Sequence, residues 1–456
     1  MKFKMSREVD LGREPVGKLL LILALPAITS QVVNALYNMV DRMYIGHIET
    51  IGSLALTGVG VCFPIIMIIS AFAYLLGMGG APRASIYMGK RKNHEAEKIL
   101  GNCFSSLIIV AIILTIIVLL CKEPLLYLFG ASEQTLPYAV QYIEIYAIGT
   151  IFVQVTLGMN SFISAQGFST ISMLTVVIGA ITNIILDPIL IFVFHMGVQG
   201  AALATILSQA ISALWAVRFL CGKQTILRLK KENLRIQKKV LMPCIALGVS
   251  PFAMQSTESI LVLCFNSSLL YHGGDLAVGA MTILSSIMQF AMLPLQGLTQ
   301  GGQPIISYNY GANQPARIKK AFFLQTAVCF SYTTIMWLAV LFVPQLFVAI
   351  FTNDPALTQM SIWALRIYMA GILLMGLQTS CQQTFIAFGN SKISAFLAIY
   401  RKIIVLIPLI YILPHFFEDE VFAIFLAEPI ADTIAVATTV TLFTISFKKL
   451  MKSMNQ

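Results

Sequence analysis

Six carboxylates interrupt long apolar stretches of this sequence: Asp41, Glu144, Asp187, Glu258, Glu428 and Asp432. An ionisable group inside hydrocarbon is costly, so each is a functional candidate by default. Basic residues inside the same stretches are Arg42, Arg366, Arg401 and Lys402. The first two stand near the ends of their runs, where a long side chain reaches back to water. The remaining bias is acidic, which suits chemistry on cations: protons, Na⁺ or organic ammonium groups. Neutral polar residues accompany the acids at helical spacing. Gln31, Asn34, Asn38 and Asp41 step along one face above Pro26, whose missing N–H permits a hinge. Asn183 and Asp187 are one turn apart with Pro188 next, and Thr205, Ser208, Gln209 and Ser212 form a third stripe. Later come Gln255 with Glu258, then Gln289, Gln296, Gln300 and Gln303, then Gln378 with Gln382 and Glu428 with Asp432.

The elements that carry these residues are membrane spans. Of 456 residues, 58% are hydrophobic and 11% charged, and mean hydropathy is +0.84. Soluble domains carry roughly a quarter charged residues, so most of this chain must face something other than water. Apolar periods predict twelve helices, at 16–45, 54–84, 97–120, 137–163, 170–194, 199–221, 241–270, 277–305, 318–344, 360–386, 392–413 and 421–447. The first run is too long for a signal-peptide core and reads as a span, not a removed leader.

Loop charge tests that count. With the N-terminus inside, inner segments hold Lys2, Lys4, Arg7, Arg13 and Lys18, then Arg83, Lys90, Arg91, Lys92 and Lys98. The stretch Arg218 to Lys239, then Arg317, Lys319, Lys320, Lys392, Lys448, Lys449 and Lys452 complete them. Outer loops hold Lys122 with Glu49, Glu123, Glu133, Asp275, Asp354 and Glu418–Glu420. Basic loops stay inside, and both termini are expected there. The net charge of +10 therefore belongs to the membrane interface, and nucleic acid is not an expected partner.

The sequence also repeats. A shift of 222 positions lays Gly79-Gly80 and Pro82 on Gly301-Gly302 and Pro304, Gly89 on Gly311, Tyr146 on Tyr368, and Gly149 on Gly371. Six spans per half give parallel repeats about an axis along the membrane normal. The expected fold is an all-α integral membrane protein of twelve transmembrane helices. It forms two six-helix lobes related by a pseudo-two-fold: an N-lobe at 1–221, a basic linker at 222–239 and a C-lobe at 240–456. One chain holds both lobes, so a monomer suffices.

Depth groups the first-half polar residues. Asp41 lies ~6 Å below the outer end of its helix, Asp187 ~10 Å below its own and Thr205 ~9 Å below the start of its own, at 1.5 Å per residue. One pocket in the outer half can hold all three together with Asn183. Two carboxylates in one pocket hold a proton between them, because both cannot ionise cheaply. Na⁺ at Asp41 and Asp187 is the other option, and no firm metal site is expected. The plain alternative for Asn183 and Thr205 is bridging between helices, as it is for the glutamines. Met254, Met281, Met288, Met292 and Met375 offer adaptable surface for varied apolar ligands, against simple packing. Glu144 is left to pair with a neighbour or with Arg366.

Enzyme signatures are lacking: no P-loop, no metal-ligand spacing among five histidines, and eight scattered cysteines without paired spacing. No cofactor is expected beyond a coupling ion, H⁺ or Na⁺. Candidate cation-coupling residues are Asp41, Asn183, Asp187 and Thr205. Candidate substrate-binding residues are Asn34, Tyr37, Asn38, Gln255, Glu258, Gln289, Met292, Gln378, Gln382, Glu428 and Asp432, with Pro26 the hinge.

Residues 14 to 447 resemble the multidrug and toxic compound extrusion (MATE) family, most like its MepA-like bacterial branch. The likeness rests on LALPAITSQVVNALYNMVDRMYIGH in the first span, GMGGAPRASIYMGK closing the second, ITNIILDPILIF in the fifth, and the two-fold repeat. It implies an antiporter in the bacterial plasma (inner) membrane that moves cationic amphipathic drugs outward against a proton or sodium gradient. Asp41, Asn183, Asp187 and Thr205 match the family's N-lobe cation pocket. Glu258, seven residues after Pro251, is similar to a C-lobe glutamate of some members. Members with a C-lobe sodium site also have an aspartate shortly after an Arg-Gly pair. This chain reads Phe388-Gly389-Asn390-Ser391-Lys392 there, which places coupling in the N-lobe. A flippase for lipid-linked saccharides, of the same superfamily, is the alternative function; it would call for several arginines facing the cleft.

Overall fold

The computed structural model describes residues 9–48 and 51–454; Lys2, Lys4, Arg7 and Glu49 lie outside the described residues. Among the described residues the architecture is twelve membrane helices. We label them α1 Val16–Gly46, α2 Gly52–Gly89, α3 Asn93–Leu128, α4 Leu136–Ile148 with Thr150–Ala165, α5 Ser169–Pro188 continuing through Ile189–Val193, and α6 Gly197–Cys221. The second half begins with the continuous stretch Lys238–Gly311, broken at Gly274, where φ is 65° and ψ −166°. An L side chain resists that conformation, and it divides the stretch into α7 (238–273) and α8 (275–311). Then come α9 Pro315–Phe342, α10 Pro355–Tyr368 with Ile372–Ala387, α11 Ser391–Phe416 and α12 Glu420–Met454.

Most helices outrun their apolar cores: α3 starts at Asn93 and α12 ends at Met454, against predicted limits of 97 and 447. Hydrocarbon constrains only the middle of a span. Pro26 lies within an unbroken α1, where Ser30 Oγ donates to its carbonyl at 3.0 Å.

The repeat is visible in the irregularities. Helices α4 and α10 break at the paired glycines, Gly149 by a 57° bend and Gly371 through a 3₁₀ turn. Helices α5 and α11 each contain a π-helical turn, Ile189–Val193 and Tyr400–Leu406. Such turns often mark functional positions.

Even span count puts both described ends on one face, which carries Arg13, Lys18, Lys90, Arg91 and Lys92; we call it the basic face. There the lobes meet backbone against backbone. A Cβ on Gly89 would strike the Tyr308 carbonyl, and one on Gly311 the Ile86 carbonyl. These two contacts exchange under the 222-residue shift. A Cβ would also clash at Gly79 against Cys244, Gly248 against Leu75, Gly297 against Ile28 and Gly301 against Ala24. Small residues allow this close approach of helices.

The linker is not a loose tether. Gln166 Oε1 accepts from Thr225 Oγ1 (2.8 Å) and from the Leu227 N–H (2.7 Å). Buried Glu97 accepts from the Arg228 N–H at 3.1 Å and from Lys230 at 2.6 Å. Asn102 donates to the Asn233 carbonyl (3.3 Å) and accepts from the Gln237 N–H (2.6 Å). The lead-in to the C-lobe thus lies on the N-lobe. The lead-in to the N-lobe reciprocates: Arg317 of α9 donates to the carbonyls of Leu11 (3.0 Å) and Glu14 (2.8 Å).

Candidate functional site

At mid-depth the lobes still touch. Gln31 of α1 donates to Gln300 of α8 at 3.1 Å, and Phe72 of α2 meets Phe252 of α7 edge-on with centroids 5.0 Å apart. Gln255 contacts Met67 across the same seam at 2.8 Å. Beyond this level, away from the basic face, Asn34, Asn38 and Glu258 are exposed. The cross-lobe contacts described run from the basic face to this level, so the cleft opens on the side opposite the basic face.

In the N-lobe, α1 packs along α5 and brings Asp41 beside Asp187. Asn183 Nδ2 donates to Asp187 Oδ1 at 3.2 Å. Asn183 and Asp187 are fully buried, and Asp41 and Thr205 nearly so. The Thr205 hydroxyl donates back to the Ala201 carbonyl at 3.0 Å, so its lone pairs remain for the pocket. Four buried oxygens here have no hydrogen-bond partner: Asp41 Oδ1, Asn183 Oδ1, Asp187 Oδ2 and Gln209 Oε1. All four are acceptors. A buried polar group without a partner demands an explanation, and a set made only of acceptors fits a proton or a cation with oxygen ligands. Three or more clustered His, Cys, Asp or Glu side chains are not found among the described residues, so carbonyl and hydroxyl oxygens would have to complete any Na⁺ shell.

Two further side chains belong to this pocket. Tyr142 of α4 is a neighbour of Thr205, and Tyr37 of Gln209. Tyr142 was not among the expected residues. Its signal was present as Tyr138, Tyr142 and Tyr146 at four-residue spacing; the last two rings stack at 6.2 Å.

The C-lobe has a different character. Arg401 donates from Nε to Asp432 Oδ1 (2.7 Å) and from Nη2 to Glu428 Oε1 (2.9 Å). Lys402 pairs with Glu258 and donates to the Met254 carbonyl at 2.9 Å. The acid bias expected of the spans is thus largely offset in this lobe, because the basic residues of α11 meet the acids of α7 and α12. Glu428 and Asp432 are buried against Arg401 and do not face the cleft, unlike their expected role. Gln378 and Gln382 are also buried. Gln382 Nε2 reaches Ser250 Oγ and the Ser394 carbonyl, each at 3.4 Å, which is interhelical bridging. Glu144 pairs with Lys122 rather than Arg366.

Of the methionines, Met281 and Met375 are core, while Met254, Met288 and Met292 are half-buried. Gln289 is exposed on α8. Asn38 donates to the Asn34 carbonyl at 2.7 Å, leaving its own carbonyl free. The plain packing reading therefore holds for Gln378, Gln382, Met281 and Met375, while Asn34, Asn38, Gln255 and Glu258 line the opening.

Twelve helices in two lobes around a polar cleft define a membrane transporter. The sequence profile of the MatE family matches the chain twice, over residues 26–189 and 249–412. The chain belongs to that family, one of transporters and not of enzymes. It is 26% identical over 425 residues to the multidrug export protein MepA of Staphylococcus haemolyticus (strain JCSC1435), covering 92% of each chain. The fold superposes on a MATE protein solved in its bent conformation with a TM-score of 0.92 at 22% identity, covering 99% of this chain and 100% of that one. It also superposes on a multidrug resistance MATE family transporter of the MOP superfamily in an outward-facing conformation, with a TM-score of 0.91 at 22% identity over 98% and 99% of the chains.

Proposed function

We propose that this chain is an antiporter that exports cationic amphipathic drugs across the bacterial plasma membrane, driven by H⁺ or Na⁺. The basic face is cytoplasmic, with both termini there, as the retention of basic loops requires. The observation that carries the reading is the N-lobe pocket, in which two neighbouring carboxyls, an asparagine and a glutamine each keep a buried oxygen without a hydrogen-bond partner. A cation entering from outside supplies what they lack. Asp41 and Asp187 take it up, with Asn183 and Thr205 as neutral ligands. Loading draws α1 toward α5 about Pro26 and narrows the cleft beside Asn34, Tyr37 and Asn38. Drug held between these residues and Gln255, Glu258, Gln289 and Met292 is then released outward. The lobes rock to open the basic face, the cation leaves, and drug re-enters. Multidrug export by the MepA relative supports the substrate class. The flippase reading is weaker, since Arg401 is held by two carboxylates and Lys402 by a third.

The test is ethidium efflux from proteoliposomes under an imposed pH or sodium gradient. Wild type follows one gradient and thereby names the ion; Asp41→Asn inserts normally and loses gradient-driven efflux. Wild-type efflux by Asp41→Asn would overturn the assignment of the pocket. Failure of wild type to move ethidium or other cationic dyes would turn attention to lipid-linked saccharides.

A further inference from the structure

The C-lobe charges are arranged asymmetrically about the cleft. Arg401 and Lys402 are neighbours on the π-helical turn of α11, yet they point to different partners. Arg401 is committed to Glu428 and Asp432, whose side chains are 7% and 0% exposed. Lys402 sits behind Glu258: its side chain is 7% exposed, that of Glu258 59%. The ammonium is fixed from the protein side by the Met254 carbonyl at 2.9 Å. Glu258 is therefore the carboxylate of this cluster that a molecule in the cleft can reach, and it already holds a cation. Half-buried Met254 and Gln255 flank it.

We infer that Lys402 is a built-in competitor for the substrate's charge, setting how strongly an amphipathic organic cation is bound at Glu258. A substrate cation must share Glu258 with a tethered ammonium, so charge alone wins little affinity. The remainder has to come from apolar area laid against the soft, methionine-bearing wall. Small hydrated cations lack that area and are rejected. This rests on the proposed export of organic cations and names a residue that sets its selectivity. The bland role for Lys402 is to neutralise Glu258 for stability, and the two roles differ in how binding depends on ligand charge.

The experiment measures Kd for ethidium and for a neutral apolar dye, Nile red, on the purified full-length chain. In Lys402→Gln the ethidium Kd tightens about five- to tenfold, the scale of one partly screened charge pair, while the Nile red Kd stays put. Lys402→Arg keeps the competing charge and the wild-type values. Should Lys402→Gln not fold, Lys402→Met removes the same charge while keeping the length of the stem, and the ethidium Kd tightens likewise with that of Nile red unchanged. An ethidium Kd in Lys402→Gln that is unchanged or weaker, or that moves together with the Nile red Kd in either variant, overturns the inference. If wild type binds no organic cation, the proposed function falls and this inference with it; binding by wild type with no selective response falls on Lys402 alone.

Discussion

Asp432 and Asp187 show how the same residue type reaches opposite ends through its neighbours. Both are fully buried in spans. Asp187 faces another acid and an amide, whereas Asp432 receives a guanidinium at 2.7 Å. Truncating one member of a buried ion pair leaves the other uncompensated, a loss of about 3–5 kcal/mol. Asp432→Ala leaves Arg401 with Glu428 as its remaining partner and its Nε–H unpaired, so a smaller loss is expected, read as a lower thermal midpoint of the detergent-solubilised protein. Asp41→Ala removes one of two facing acids and is expected to leave the midpoint near or above wild type, even as transport is lost. The sequence showed the acids, because carboxylates in apolar runs are conspicuous one at a time. It did not show their partners. Arg401 and Glu428 are on different helices, and nothing in spacing along one helix says which neighbour a side chain meets. Tyr142 was missed for a related reason: a tyrosine in an apolar helix is ordinary until the Thr205 hydroxyl is seen beside it.

Helices were the most legible feature, since each needs some twenty apolar residues and the loop charges confirm their sequence. Their breaks were less so. Gly149 and Gly371 were matched as repeat partners, but what a glycine permits is clear only from what stands opposite, Ile206 in one case and Asp432 in the other. The linker was legible in composition and not in behaviour. Its basic residues fit an inner loop, yet its backbone is fastened to α3 by Asn102 and Glu97 and to the residue following α4, Gln166, and these bonds pair residues more than fifty positions apart. Asn102→Ala strands the Gln237 N–H and the Asn233 carbonyl, at about 1–3 kcal/mol for each unsatisfied group. Trypsin is expected to cut the variant faster between Lys230 and Lys239 while the membrane helices stay protected; equal cleavage rates would mean the bonds do not hold the segment.

At the scale of the molecule, the closed basic face depends on backbones meeting without side chains between them. A valine at Gly89 or Gly311 would collide with the carbonyl of Tyr308 or Ile86, and neither helix can yield without moving its lobe. Gly89→Val and Gly311→Val are both expected to shift the population toward a cleft open at the basic face. A single cysteine near Ser85, whose hydroxyl now reaches the Pro304 carbonyl at 3.4 Å, would report this as faster labelling by a water-soluble maleimide. Protection equal to wild type would show that the lobes part elsewhere.

The same contacts have a symmetry of their own. Gly89 on Tyr308 and Gly311 on Ile86 are one contact made twice, and each lead-in segment lies across the opposite half. A surface that fits itself in this way, with arms exchanged, is the signature of a two-fold homodimer. Two six-helix halves joined in one chain do not have to stay identical. One half could keep its acids bare for an ion while the other filled its own with arginine and lysine, a division of labour closed to a dimer of equals.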